Sequence, residues 1–254
     1  MFAGLASKAR PWAVPLALLA TLEIYTRTVA AGSDAIAPPS AALVAWFGAL
    51  RDGSLWQATL FTLGSAALGL LIASLLGIAG GLLLGLSRRV DAGSLLTIEL
   101  LRPIPSVALI PLAMLVFGFG LRMETSVIAF AAFWPMLILT RAAVRQVEPR
   151  LLEVSRVLGL SAWQRSIKIV LPACVPRLFV ALRLGVAIAL VVAVTVEIAA
   201  NPHGMGYAMM IAQQGLDPAL MLAWLGWIGV VGVVINALAL KLQQRVARAM
   251  GERP

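Results

Sequence analysis

Residues 57–86 read QATLFTLGSAALGLLIASLLGIAGGLLLGL and contain no charged side chain. A helix needs about 20 apolar residues to cross the roughly 30 Å hydrocarbon core of a bilayer, so this stretch is long enough to span a membrane. Small residues recur in it at every fourth position, at Ser65, Gly69, Ala73, Gly77, Gly81 and Gly85. Because helices in lipid associate through close packing of small residues, we expect this stripe to contact another helix of the chain.

The composition extends this prediction to the whole chain. Of its 254 residues, 61% are hydrophobic and 12% are charged, about half the charged share of a typical soluble domain. Five further apolar stretches lie at about 11–31, 103–120, 124–143, 177–199 and 219–240. Glu23 and Arg27 interrupt the first, and Lys8 and Arg10 before it also resemble the start of a signal peptide; we favour a retained helix. The sequence predicts an all-α membrane protein with about six transmembrane helices in a single domain, residues 1–254.

The positive charges predict the orientation of these spans. If all six cross and the N-terminus is cytoplasmic, seventeen of the twenty Lys and Arg residues lie on the inner side, leaving only Arg27, Arg51 and Arg122 outside. This bias satisfies the positive-inside rule. We therefore expect a multi-pass inner-membrane protein with both termini in the cytoplasm. The net charge of +9 then forms a collar at the inner face, and we expect no nucleic-acid binding.

Several chemistries are excluded by residues that the chain lacks. Cys174 and His203 are its only cysteine and histidine, so we expect no metal site, no cofactor and no intramembrane enzyme. The sequence has no Gly-Lys-Ser/Thr phosphate loop, so we do not expect the chain to hydrolyse ATP. An ion-coupled secondary carrier remains an alternative. Such a carrier needs paired carboxylates or a cation site near the bilayer midplane, whereas the glutamates here fall towards the predicted span ends.

The longest polar interruption between spans, about 141–176, predicts a helical hairpin. Pro149 suits the first position of a helix, and Gly159 suits its end. Ser161 and Gln164 have the spacing of a capping box that starts a second helix, which we expect Leu171-Pro172 to close. One face of the first helix carries apolar residues at i, i+3 and i+7 spacing, namely Leu151, Val154 and Leu158.

The hairpin also carries a family signature. Residues at fixed spacing along it are Glu153, Gly159, Ile169, Leu171 and Pro172. This pattern resembles the Glu-Ala-Ala loop of binding-protein-dependent ATP-binding-cassette importer permeases, with Val154 and Ser155 in place of the two alanines. The resemblance covers about residues 55–245, with the loop at 145–172.

Three further stretches narrow the resemblance. They are Ser87-Arg88-Arg89, Leu101-Arg102-Pro103-Ile104-Pro105, and Glu197 followed by Gly204-Met205-Gly206-Tyr207. They are similar to the permease group associated with nitrate, sulfonate and taurine uptake, whose relatives serve thiamine or riboflavin precursors.

The resemblance implies a type I importer architecture and a function. The chain would form the translocation pathway as a homodimer, working with separate cytoplasmic ATPase subunits and an extracytoplasmic solute-binding protein. The implied cargo is a small organic or inorganic anion such as sulfonate, taurine or nitrate. Import of a vitamin precursor is the alternative within the same family.

Two sets of candidate site residues follow. Coupling to the ATPase is predicted for Glu153, Ser155, Arg156, Gly159, Ser161, Trp163 and Pro172. Glu197 and Tyr207 are candidates for a gate or the solute pathway. An interfacial structural role is equally open for Glu197. Residues 205–214 are read as a short outer helix or as plain packing.

Overall fold

The structure, a computed structural model, describes residues 2–31 and 36–250, with the side chains of residues 2–12 and 156 outside the described part. The described residues form helices and turns but no strand. The α-helices are α1 (Phe2–Thr28), α2 (Pro39–Arg51), α3 (Ser54–Leu86), α4 (Arg88–Leu101), α5 (Ile110–Phe117), α6 (Leu121–Arg145), α7 (Pro149–Val157), α8 (Ala162–Arg165), α9 (Leu171–Ala199), α10 (Gly204–Gln214) and α11 (Pro218–Ala249). A 3₁₀ turn, Ser106–Leu109, precedes α5, and a π turn, Ser166–Val170, joins α8 to α9.

Four helical stretches in the described residues are long and apolar enough to cross a bilayer: α3, α6, α11 and the run Ala162–Gln214 that contains α9. α4 and the segment Ser106–Phe117 meet the same criterion only as a pair, bent by 83°. The spans predicted at 57–86, 124–143, 177–199 and 219–240 are thus helices, and the one at 103–120 is half of the bent pair. The span predicted at 11–31 falls in α1, part of whose side chains lie outside the described residues, so the number six stays a prediction.

The small-residue stripe of α3 packs against α6. Cβ atoms built on four of its glycines would stand 2.5–2.6 Å from side-chain atoms of α6, in the pairs Gly69–Ile128, Gly77–Met136, Gly81–Thr140 and Gly85–Val144. Real side chains do not approach so closely, so glycine is what permits this helix spacing. The predicted packing within the chain is confirmed, and its partner is the helix that carries Glu124 and Arg145.

The span predicted at 103–120 differs from expectation in where it breaks. Pro111 falls inside the predicted span, where a proline usually kinks a helix, but it lies in the first turn of α5, where its missing N–H costs no helical bond. The break comes earlier, because α4 ends at Leu101 and two prolines, Pro103 and Pro105, follow. Proline also disfavours a helical residue before it. Pro135, in contrast, lies inside α6, which is helical on both sides of it.

The predicted hairpin is present. Gly159, after α7, has φ +64°, the left-handed conformation that ends many helices. The capping box is complete: the backbone N–H of Ser161 donates to Gln164 Oε1 at 3.0 Å, and that of Gln164 donates to Ser161 Oγ at 3.3 Å. Both bonds fix the entry into α8.

The expected end of the hairpin at Leu171-Pro172 is wrong. The chain stays helical through the π turn, and Pro172 lies in the first turn of α9. Proline has no N–H to donate to the carbonyl of Lys168, and the wider π turn just before it accommodates that missing bond. The hairpin therefore runs without a loop into a membrane helix.

Candidate functional site

One end of the helix bundle is basic and holds the hairpin. A cavity of about 650 Å³ at this end is lined by residues of α3, α4, α6, α7 and α8, among them Gly85, Arg88, Asp91, Arg145 and Arg165. We call this end the basic end.

An acidic residue ties two helices together there. Asp91 Oδ2 accepts a hydrogen bond from Arg141 Nη2 at 2.8 Å, and the same carboxylate pairs with Arg145. Asp91 lies in the first turn of α4, on the cavity at the basic end, and the hydrogen bond from Arg141, followed by that from Arg145, lowers the pKa of its carboxyl group. The start of α4 and the end of α6 are thus joined beside the hairpin.

The hairpin presents an apolar surface that its own chain does not cover. Its exposed apolar side chains are Leu151, Val154, Val157, Leu158 and Trp163, and we call these five residues the hairpin surface. Val157 is 88% exposed and Trp163 is 74% exposed. The stripe predicted at Leu151, Val154 and Leu158 is therefore a free surface. Exposed apolar patches of this kind mark interaction sites.

The opposite side of α7 attaches the hairpin to the bundle. Leu152 packs against the apolar cluster that contains Val147, Val170 and Cys174. Ser155 is fully buried, and its Oγ donates to the backbone oxygen of Leu152 at 2.6 Å. A small side chain is thus required at position 155. Position 154 faces outward, so valine in place of the motif's alanine meets no steric conflict within the chain.

The predicted coupling residues that the structure describes lie in different environments, and Ser155 is the buried one among them. Glu153, Gly159, Ser161 and Trp163 are exposed on the hairpin. Pro172 is not on the hairpin but in α9. The side chain of Arg156 lies outside the described residues.

A second polar site lies buried at the other end of the bundle. Glu124 and Glu197 are both 0% exposed, and their carboxyl groups lie near each other. Glu124 accepts hydrogen bonds from the hydroxyl of Ser65 and the side-chain amide of Asn201. With Thr62, these residues form what we call the buried polar cluster.

This cluster joins four helices. Thr62 Oγ1 accepts from the backbone N–H of Met205 at 3.0 Å, which brings α3 to α10. Glu124 links α3 and α6 to Asn201, the second residue after α9. Gly206 is needed here because a Cβ on it would stand 2.9 Å from the Cβ of Glu197. The Gly204-Met205-Gly206-Tyr207 stretch is therefore a packing motif.

The sequence predicted only part of this cluster. Glu197 is singled out there, but Glu124 is not paired with it. Their positions along the helices could have indicated that they are close. Glu124 lies in the first turn of α6 and Glu197 in the last turn of α9. These two helices run in opposite directions. The antiparallel arrangement brings the two carboxyl groups to the same depth.

Tyr207 lies apart from this cluster, on an open cavity of about 1080 Å³. His203 lines the same cavity and stacks on Phe61 with ring centroids 5.1 Å apart. Glu197 does not line this cavity. The gate or pathway role of Glu197 and Tyr207 stays a prediction.

The fold and the hairpin can now be set beside known proteins. Residues 73–251 match the family described as binding-protein-dependent transport system inner membrane component. The chain belongs to this family. Its permeases are components of transport systems rather than enzymes. Membership in this family argues against the ion-coupled carrier that the sequence left as an alternative.

Individual relatives support this family and its nitrate, sulfonate and taurine group. The riboflavin transport system permease protein RibX of Chloroflexus aurantiacus is 32% identical over 238 residues, covering 92% of this chain and 89% of that protein. The bicarbonate transport system permease protein CmpB of Synechococcus elongatus is 33% identical over 202 residues, 79% of this chain and 69% of that protein. The taurine transport system permease protein TauC of Escherichia coli is 29% identical over 201 residues, 79% and 73% respectively.

A solved structure supports the fold. A chain of the inward-facing MetNI methionine ABC transporter superposes with a TM-score of 0.67 at 18% identity, covering 79% of this chain and 99% of that chain. At this identity the likeness concerns the fold alone. The chain has the architecture of a type I importer permease.

Proposed function

We propose that this chain is the translocation subunit of an ATP-driven importer and that the hairpin surface docks on a separate cytoplasmic ATPase. The observation that carries the proposal is the hairpin itself, which is capped, rigid and apolar on its outward side. Val157, Leu158 and Trp163 are 88%, 65% and 74% exposed, beside a collar of cations. A partner groove is the expected cover for such a surface.

The continuity of the hairpin with α9 suggests how force is transmitted. Because α8, the π turn and α9 follow one another without a loop, displacement of the hairpin moves α9 as a lever. α9 packs along α6 and α3, so movement of α9 changes the packing of the spans. Closure of the ATPase on ATP then shifts the population between two packings, open to one side or the other.

The remaining partners follow from the same mechanism. Two ATPase subunits need two hairpins, so the permease acts as a homodimer. An extracytoplasmic solute-binding protein delivers cargo at the end opposite to the basic end. Both termini are then cytoplasmic, in an inner membrane that the chain crosses several times.

The proposed cargo is a small organic or inorganic anion such as sulfonate, taurine or nitrate. Support comes from the relatives named for bicarbonate and taurine transport. A vitamin precursor is a second candidate, favoured by the coverage of RibX along 92% of this chain. Reconstitution with the ATPase and binding protein, followed by a screen of both cargo classes for stimulated ATP hydrolysis, decides between them.

Docking is tested by matched substitutions at the two ends of the bundle. Leu158 and Leu216 are 65% and 71% exposed, and each becomes Asn. Leu158→Asn is expected to weaken binding of the ATPase to the permease about five- to thirtyfold, measured by co-purification, because one apolar anchor in a docked interface contributes about 1–2 kcal/mol. Leu216→Asn should leave it unchanged. Equal recovery of ATPase with both variants would refute docking at the hairpin.

A further inference from the structure

The cavity at the basic end holds more positive charge than its own carboxylate neutralises. Three guanidiniums line it, from Arg88 of α4, Arg145 of α6 and Arg165 of α8. Among the described lining residues Asp91 supplies the one carboxylate, and it is already paired with Arg141 and Arg145. Arg88 and Arg165 make no salt bridge in the part of the chain that the structure describes. Two guanidiniums of one cavity wall are therefore left without a counter-ion by the described residues.

These guanidiniums belong to different parts of the fold. Arg88 begins α4 and Arg145 ends α6, both in the bundle, whereas Arg165 ends α8 in the hairpin. Like charges that share a cavity repel one another, and an anion bound between them replaces this repulsion with attraction. The first turn of a helix, where Arg88 stands, also favours negative charge because of the aligned peptide dipoles. Guanidinium groups bind the oxygens of phosphate groups in pairs, so the wall is suited to an oxyanion.

The length of α3 relates this cavity to the bilayer. The uncharged run 57–86 is helical to its end at Leu86, and Leu86 lines the cavity. Its 30 residues, at 1.5 Å per residue, extend over about 45 Å, the thickness of a bilayer together with its headgroup regions. The first charged residues after the run are Arg88 and Arg89. The cavity is therefore expected at the level of the phosphate groups of the adjoining leaflet.

An exposed apolar stripe of α3 leads from the cavity into the span. Its members recur at three- and four-residue spacing and are Ile72, Leu76, Ala79, Leu83 and Leu86. All five are exposed, Leu83 at 56% and Leu86 at 43%. Residues at this spacing lie one above the other on a helix, so an acyl chain can extend along them while its headgroup occupies the cavity. A free anion would use the cavity alone, whereas a lipid uses both surfaces.

We propose that this cavity binds the phosphate group of an anionic phospholipid of the cytoplasmic leaflet. The phosphate lies between Arg88 on the bundle and Arg165 on the hairpin, and the acyl chains lie along the stripe of α3. Basic pockets between membrane helices on the cytoplasmic side hold headgroups of this kind. Because one ligand contacts both parts, its binding holds the hairpin against the bundle. An effect on ATPase coupling rests on the proposed docking of the hairpin, but lipid binding itself does not.

Native mass spectrometry of the full-length permease, released from detergent with added dioleoyl-phosphatidylglycerol, measures lipid binding directly. Arg88→Gln and Arg165→Gln are each expected to weaken binding at least about fivefold, because each removes a charge-assisted contact from a cavity that is open to solvent. The wild type should bind phosphatidylglycerol at least about fivefold more tightly than dioleoyl-phosphatidylcholine, whose headgroup carries its own cation. Wild-type affinity in both arginine variants, or equal affinity for the two lipids, would overturn the proposal.

Arg89 provides the matched control. It is exposed and next to Arg88 in the same turn of α4, but it is not among the residues that line the cavity. Arg89→Gln removes the same charge and should change phosphatidylglycerol binding less than about twofold. Equal losses in Arg88→Gln and Arg89→Gln would show diffuse attraction to a basic surface and refute a site. Displacement of the lipid by an equal concentration of inorganic phosphate would show that the acyl chains contribute nothing and refute a lipid ligand.

Amide hydrogen exchange tests the contact between lipid and hairpin. The full-length permease is compared in nanodiscs of phosphatidylcholine alone and of phosphatidylcholine with phosphatidylglycerol. Exchange across residues 149–165, the hairpin, should slow severalfold with phosphatidylglycerol in the wild type and in Arg89→Gln but not in Arg165→Gln. Equal hairpin exchange in the two kinds of nanodisc would contradict the bridge. Recovery of the ATPase with Leu158→Asn tests the importer function separately, since that variant leaves the guanidiniums of the cavity in place.

Discussion

Glu197, in the last turn of α9, accepts a hydrogen bond from the backbone N–H of Gly206 at 2.8 Å, in the first turn of α10. The first N–H groups of a helix have no partner within that helix. Glu197 therefore caps α10 from the preceding helix, and Thr62 of α3 does the same for the N–H of Met205. The short helix α10 is held by side chains that belong to two membrane spans.

The first prediction concerns this cap. Glu197→Gln keeps an oxygen for Gly206 and is expected to change the free energy of unfolding by less than about 1 kcal/mol. Glu197→Ala leaves the N–H unpaired and opens a void, at an expected cost of about 2–4 kcal/mol. Thermal unfolding of the purified permease in detergent, followed by tryptophan fluorescence, measures both. Equal midpoints for the two variants would contradict the capping role.

The second prediction uses two glycines of α3. A Cβ on Gly77 would stand 2.6 Å from Met136 Cβ and 3.1 Å from the backbone nitrogen of Leu137, whereas a Cβ on Gly64 would meet nothing within 4 Å. Gly77→Ala should cost about 1–3 kcal/mol because backbone has to move, and Gly64→Ala should be neutral or slightly stabilising. The same unfolding assay compares them. If both are tolerated, α3 and α6 are not in close contact at Gly77.

Much of the fold could be predicted because its signals are local. A 30-residue apolar run defines a span by itself, and the capping box of Ser161 and Gln164 needs only four residues. α4 was missed because its charges, among them Arg88 and Asp91, read as a loop between spans. Its position became visible only through the pairing of Asp91 with Arg141 and Arg145 in another helix.

Predicting the candidate sites required more knowledge of the tertiary structure than predicting the helices did. The hairpin residues were identified from spacing along one segment. The buried polar cluster brings together Glu124 and Glu197, more than seventy residues apart in sequence, and no local pattern predicts their proximity.

The third prediction is a pH dependence at the basic end. Arg141 and Arg145 lower the pKa of Asp91, so its ion pairs stabilise the fold at neutral pH. That stabilisation begins to fall once the pH drops towards the unfolded value of about 3.9, and is lost below the folded pKa. Asp91→Asn should be less stable than the wild type at pH 7, and the gap should close as the pH falls below about 4. A difference that stays constant from pH 7 to pH 3 would exclude the ion pairs as its source.

The last prediction concerns Gly159, whose surroundings leave room for a side chain but whose backbone conformation disfavours one. A Cβ there would meet nothing within 4 Å, but φ is +64°, which costs a β-branched residue roughly 1–2 kcal/mol and is tolerated by asparagine. Gly159→Val should therefore distort the hairpin and lower transport-coupled ATP hydrolysis severalfold, while Gly159→Asn should retain most of it. Both variants should insert in the membrane at wild-type levels, because the substitution lies outside the spans. Equal coupling in the valine and asparagine variants would show that the left-handed turn does not set the geometry of the docking hairpin.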